Sequence, residues 1–244
     1  MKIKKNYANK NNYGGKRNTN TIKYIVIHYT ANDGDSDESN AKYFKKHIVN
    51  ASANYFVDND SITQSVPDNY VAYAVGGSKY INTKGGSMYN LCTNSNSISI
   101  ELCDSIKNGK YDFTENTLKQ TVELVNMLSN KYKIPYSNII RHYDVTGKIC
   151  PKPFVDNNKE WKQFKNRLKR RVNTNSSKLD IMKLQRALNN INCGLAKLKE
   201  DGDYGRKTSQ YMLKVWSNWG WNKLKRFDGY NVGEDTIKKL GMSL

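Results

Sequence analysis

Residues 22–29 form a nearly continuous apolar, β-branched run, too short for a helix, and read as a buried strand with His28 at its C-terminal end. Ser97 to Cys103 alternates instead: Ile98, Ile100 and Leu102 face one side, Ser99, Glu101 and Cys103 the other. Two further strands are expected over 53–58 and 61–66, joined by a tight Asn59-Asp60 turn. Helical spacing predicts a helix over 39–48 with Tyr43, Phe44 and Ile48 inward, and places His47 on its surface. A second helix is capped by Thr114 and runs to Tyr132, burying Leu118, Val122, Val125 and Leu128. A third spans 157–172, with Trp161, Phe164 and Leu168 inward and a basic outer face. Residues 1–21 read as a polar arm wrapping this domain, and 67–96 as a long connection bordering a site.

The short polar stretch 173–177 reads as a linker, which divides the chain into a domain over 1–172 and a module over 178–244. Within the module, Ile181, Leu184 and Leu188 recur at helical spacing. A loose repeat follows. Asp201-Gly202-Asp203-Tyr204-Gly205 and its following Thr208 return as Asp228-Gly229-Tyr230-Asn231-Val232-Gly233 and Thr236, each a glycine turn leading into a helix start. The module is therefore expected to be small and mainly helical.

Composition narrows this picture. Forty Lys and Arg against 22 Asp and Glu leave a net charge of +18, which draws the chain to polyanions, either nucleic acid or an anionic cell wall. No nucleic-acid recognition signature accompanies the charge. No apolar run approaches the about 20 residues of a membrane span, and the basic, polar start has no signal-peptide centre. The four cysteines form neither a CxxC pair nor a disulfide framework, so reduced thiols are expected.

His28, His142 and Cys150 are the residues with chemistry beyond packing. Two imidazoles and a thiolate are ligands zinc prefers, and three protein ligands leave one position for water. Such a site needs a proton acceptor and an oxyanion donor. Glu101, a carboxylate in mid-strand among small neighbours, suits the first task, although a strand residue on a half-exposed sheet would look the same. Lys148, two residues before Cys150, suits the second, but by residue type alone it is one lysine among many.

The stretches Ile25-Val26-Ile27-His28-Tyr29-Thr30, Asn54-Tyr55-Phe56-Val57-Asp58, Ser97-Ile98-Ser99-Ile100-Glu101-Leu102 and Arg141-His142-Tyr143-Asp144 through Cys150-Pro151 together resemble the zinc-dependent N-acetylmuramoyl-L-alanine amidases of the type-2 family, over about residues 20 to 155. The resemblance implies an α/β fold with a mixed central sheet flanked by helices. It also implies hydrolysis of the amide between the lactyl group of N-acetylmuramic acid and the L-alanine of the stem peptide. By position it assigns His28, His142 and Cys150 to zinc, Glu101 to the base and Lys148 to the oxyanion. Two departures stand out: Ala53 lies where some members carry a catalytic tyrosine, and Tyr73-Ala74-Val75-Gly76-Gly77 lacks a histidine that many members have.

The tail is similar, more loosely, to helical peptidoglycan-binding modules, with Trp216, Trp219, Trp221 and Tyr230 as candidate stacking residues; taken singly, each reads more readily as core of a small module. The resulting expectation is a phage- or prophage-type endolysin. It would be made without a signal peptide and act on the bacterial wall once the membrane is permeabilised. Its partners would be peptidoglycan and anionic wall polymers, with neither nucleic acid nor membrane insertion. The alternatives are a cytosolic amidase recycling wall fragments, a non-catalytic recognition protein, which would normally lack the cysteine, and a basic nucleic-acid binder.

Overall fold

The computed structural model describes residues 2–168, 172–174, 176–221 and 229–242. The chain divides into two compact units, residues 1–168 and 169–244.

The strands of the first unit are β1 (Ile3–Lys5), β2 (Tyr13–Lys16), β3 (Tyr24–Tyr29), β4 (Tyr55–Val57), β5 (Ile62–Gln64), β6 (Tyr70–Ala72), β7 (Ser97–Leu102), β8 (Ser105–Lys107), β9 (Lys110–Asp112) and β10 (Ile139–Arg141). Its helices are α1 (Asp37–Lys46), α2 (Glu115–Tyr132), α3 (His142–Thr146), α4 (Lys152–Asp156) and α5 (Asn158–Leu168). Six strands form one mixed sheet in the order β1-β5-β4-β7-β3-β10, parallel throughout except where β4 meets β5.

Period-2 alternation gives this sheet two unlike faces. Ile25, Ile27, Ile98, Ile100, Leu102, Tyr55 and Val57 pack against Leu124, Val125 and Leu128 of α2 and against Phe154, Trp161, Phe164 and Leu168 of α4 and α5. The opposite face carries Val26, which packs with Ile140, Val145 and the loop residues Val75 and Cys92. Phe56 on that face meets Ala41 of α1. His28 and Glu101 belong to this second, less apolar face by the same alternation.

Several expectations need correction. The N-terminal arm is built into the fold: β1 extends the main sheet beside β5, and β2 pairs with β6. Helix α1 is set by the Ser36 capping box and ends at Lys46, two residues short of the expected 48; Tyr43 on it is 48% exposed, and Ile48, beyond its C-cap, is 57% exposed. Ala41 is the apolar residue it buries fully, against Phe56, beside the buried Asp37 of its first turn. Leu124 joins the buried stripe of α2, while Leu118 and Val122 pack at its margin.

The third helix closes at Leu168 among the described residues, and Val172 does not continue it. Val172 lies in β11 (Val172–Asn173), pairs with β12 (Asn231–Val232) and is fully buried in the core of the second unit. The expected linker is likewise part of that unit, since Asn173 and Ser176 close a turn and Ser177 caps α6 (Lys178–Asn189). Asn175 lies outside the described residues.

The second unit continues with α7 (Arg206–Asn218) and α8 (Glu234–Lys239). The repeat is visible in the backbone: Gly202 and Gly229 both take positive φ, at 73° and 75°, and Gly205 and Gly233 are the N-caps of α7 and α8. Asp228, the first residue of the second copy, lies outside the described residues. Val172→Ala should lower the stability of a 169–244 fragment by about 2 kcal/mol in urea unfolding, the cost of a buried methyl pair and its cavity; no loss would return Val172 to the end of the helix.

Candidate metal centre and active site

Strand register brings the site together. β3 lies between β7 and β10, with His28 opposite Glu101 and Ile27 opposite Arg141, so the next residue, His142, arrives at the level of His28. All three strands are parallel, so these residues gather at one sheet edge, the C-terminal one where α/β folds place ligands.

Cys150 reaches the same point from the loop after α3. Its Sγ lies 3.8 Å from His28 Nδ1, and the donor atoms of His28, His142 and Cys150 fall within 4.8 Å of one another. This is the one group of three such donors among the described residues. Glu101 Oε1 lies 3.8 Å from His28 Nδ1, and its side chain is 21% exposed.

The loop is held by its own backbone. Tyr143 N–H donates to the Cys150 carbonyl at 2.8 Å, and Cys150 N–H to the Lys148 carbonyl at 2.7 Å. The Cys150-Pro151 peptide is cis. Beneath it, the Arg141 guanidinium forks onto both oxygens of Asp144, donates to the Phe154 carbonyl at 3.0 Å and lies over the Trp161 ring. This pair was not singled out from the sequence, where its signal is opposite charges three residues apart bracketing a histidine. From above, residues 80–88 clamp α3: the N–H groups of Tyr80, Gly86 and Met88 donate to the carbonyls of Thr146, Tyr143 and Asp144. A Cβ on Gly85 would stand 2.4 Å from the Tyr143 carbonyl oxygen, so only glycine permits this approach.

The electrostatics are those of buried polar groups short of partners. Burial pushes His28 well below its ordinary value, and neighbouring His142 and Lys148 add to this. Burial, then Lys148, pushes His142 down to about 4. Burial raises the Cys150 thiol, with Glu101 adding to it and the Tyr29 backbone N–H and Lys148 opposing. Glu101 is raised to about 8 by burial, and the Lys148 charge acts the other way. His28 Nε2, His142 Nδ1 and Glu101 Oε2 are buried with no hydrogen-bond partner. Two neutral imidazoles and a thiol that lacks only a cation to ionise it fit a zinc-type ion, and the orphaned His142 Nδ1 is a ring nitrogen of the kind such an ion would satisfy.

Lys148 is exposed and sits where two clefts meet. Ala53, where some relatives carry tyrosine, is buried in the wall of one of them, so no hydroxyl is offered from that position. The four aromatic candidates of the second unit fare differently. Trp216 is buried, with its indole N–H donating to Thr236 Oγ1 at 2.9 Å, and is a core residue that offers no face to a ligand. Trp219 and Trp221 pack edge to face at 5.1 Å with the Lys239 ammonium over both rings, and Tyr230 is exposed beside Tyr204.

Donor set and sheet together make a candidate metal site of His28, His142 and Cys150 on a mixed α/β sheet. A family model described as N-acetylmuramoyl-L-alanine amidase matches residues 18–153, more than half of the sequence. The chain belongs to the N-acetylmuramoyl-L-alanine amidase family. Among its relatives, the amidase BlyA of Bacillus subtilis is 35% identical over 161 residues, which are 64% of this chain and 43% of BlyA. The chain thus spans less than half the length of that relative. The catalytic domain of XlyA, also from Bacillus subtilis, superposes with a TM-score of 0.54 at 27% identity, covering 69% of this chain and 99% of that domain. A mutant endolysin from Bacillus subtilis gives the same values.

The raised Glu101 has a consequence for the metal-free protein. Well above pH 6.5 both imidazoles are neutral folded and largely so unfolded, but folded Glu101 keeps a proton that the unfolded chain, with its carboxyl near 4.5, has lost. Stability should therefore fall as pH rises from about 7 towards about 8, by rather less than ~1 kcal/mol because the last protons leaving the unfolded imidazoles act the other way. Urea unfolding of the chelated protein should show this slope, and Glu101→Gln should flatten it; an equal slope in the variant would contradict the assignment.

Proposed function

We propose that the chain is a zinc-dependent amidase that hydrolyses the bond between the lactyl group of N-acetylmuramic acid and the L-alanine of the stem peptide. Bacterial lysis as an endolysin is its biological outcome. The observation that carries this reading is the convergence of His28, His142 and Cys150, from positions far apart in the chain, on one point beside Glu101. The family match and the endolysin neighbour support it.

His28, His142 and Cys150 would hold the zinc, which would supply Lewis acidity towards water and the scissile carbonyl near neutral pH. The remaining steps fall to the protein. Glu101, protonated in the metal-free site but favoured as a carboxylate once a cation is held beside it, takes a proton from the attacking water and passes it to the departing alanine nitrogen. Lys148 offers its ammonium to the carbonyl oxygen as negative charge grows there. With Ala53 in place of a tyrosine, Glu101 carries the proton transfer alone. The Arg141–Asp144 pair and the 80–88 clamp act by positioning, since they hold the His142 and Cys150 backbone against the core.

The second unit acts as a wall-binding module, with Tyr230 and the rims of Trp219 and Trp221 as its stacking surface in place of buried Trp216. The net charge of +18 adds attraction to anionic wall polymers. No helix among the described residues is long and apolar enough to cross a membrane.

Purified protein should release stem peptides bearing a free L-alanine amino group from peptidoglycan, with no new reducing ends. Chelation should abolish turnover and zinc should restore it. Glu101→Gln should keep the metal yet lose at least about 10²-fold in turnover; near-normal activity would remove Glu101 from the mechanism, and reducing ends would reassign the reaction to a glycosidase.

A further inference from the structure

The site opens into two clefts that share only Ala74, His142 and Lys148. Their electrostatic characters are opposite. The first, of about 660 Å³, holds Glu101, the uncharged polar groups of Asn32 and Asn40, and the rings of Tyr43 and Tyr73. Carboxylates stand behind its wall. Asp35 accepts from Asn40 Nδ2, and Asp104 accepts from Thr30 Oγ1 and the Ala31 N–H. Asp35 Oδ1 and Asp104 Oδ2 are buried with no hydrogen-bond donor, so their charge is poorly screened and opposes any anion in this cleft.

The second cleft, of about 520 Å³, runs under residues 76–83 and has no acidic side chain in its lining. It holds two ammonium groups, Lys79 and Lys148, and neither forms an ion pair among the described residues. The stem of the exposed Lys79 lies over Gly86, where a Cβ would stand 2.7 Å from Lys79 Cε, and Gly86 is itself tied to the Tyr143 carbonyl. The loop that clamps the His142 helix therefore also carries this cation.

A substrate that crosses the site is equally lopsided. The glycan is uncharged once its lactyl carboxyl is in amide linkage. The stem peptide carries its first free carboxylate on the second residue, the α-carboxyl of a γ-linked D-glutamate, which some cell walls amidate. Two residues of extended chain span about 7 Å from the scissile nitrogen. We propose that the cleft under residues 76–83 takes the stem peptide, and that Lys79 binds the α-carboxylate of the second stem residue and so discriminates free from amidated peptidoglycan; this rests on the amidase reading above. The glycan then occupies the aromatic, carboxylate-backed cleft on the other side.

The test compares two soluble disaccharide-tripeptides that differ only in whether that α-carboxyl is free or amidated, cleaved by the zinc-loaded full chain. The free carboxylate should be favoured about five- to tenfold in kcat/KM, through KM. Lys79→Gln should bring the ratio close to one while leaving turnover of the amidated substrate unchanged, and Lys79→Arg should keep the preference. Rising salt should shrink it, as it does for exposed charges. Cleavage of both substrates at a ratio near one, or an equal loss on both in Lys79→Gln, overturns the subsite while the amidase reading stands. Cleavage of neither removes both.

Discussion

Parallel pairing of β3 with β7 on one side and β10 on the other governs the first unit. The register that sets Ile25 against Ile98 and Ile27 against Ile100 packs one face of the sheet, and it also sets His28 against Glu101 and delivers His142 beside them. Side chains alternate with period two, so a one-residue slip of β3 would carry His28 into the helix-facing core and Ile27 out towards the cleft. The apolar face thus holds the polar one in place. Fully buried isoleucines on one side make it costly for the histidines to be anywhere else.

That arrangement concentrates unfavourable terms in a small volume. Two imidazoles, a thiol and a carboxyl are withdrawn from water, three of their polar atoms lack partners, and all four groups are driven towards their neutral forms. A site left so unsatisfied is held by its surroundings: the Arg141 fork below, and the 80–88 segment above with a glycine where a side chain could not fit. A bound cation would relieve the deficit, and metal affinity and folding stability would then be coupled.

Much of this was legible in the sequence. The alternation of Ile98, Ile100 and Leu102 announced both the strand and the odd position of Glu101, and two histidines after apolar runs marked the ends of parallel strands. Tertiary context decided the rest. Tyr43 and Ile48 have the helical spacing of buried residues, yet α1 ends before Ile48 and buries Ala41 against Phe56 instead. Val172 continues a helical pattern by type, but a partner strand some sixty residues later in the chain recruits it. Trp216 resembles a binding residue in composition and turns out to be core, since helical spacing in α7 aims it inward with its N–H satisfied by Thr236. Lys79 could not be distinguished from the other lysines until the glycine beneath it and the cleft beside it were visible.

The central claim is that His28, His142 and Cys150 hold one metal ion between them. X-ray absorption spectroscopy of the zinc-loaded full chain tests it most directly. The account predicts one zinc per chain with a single sulfur and two imidazole nitrogens among its neighbours, and loss of the sulfur in Cys150→Ser. A zinc surrounded only by oxygen, or a sulfur signal that survives that substitution, would contradict it.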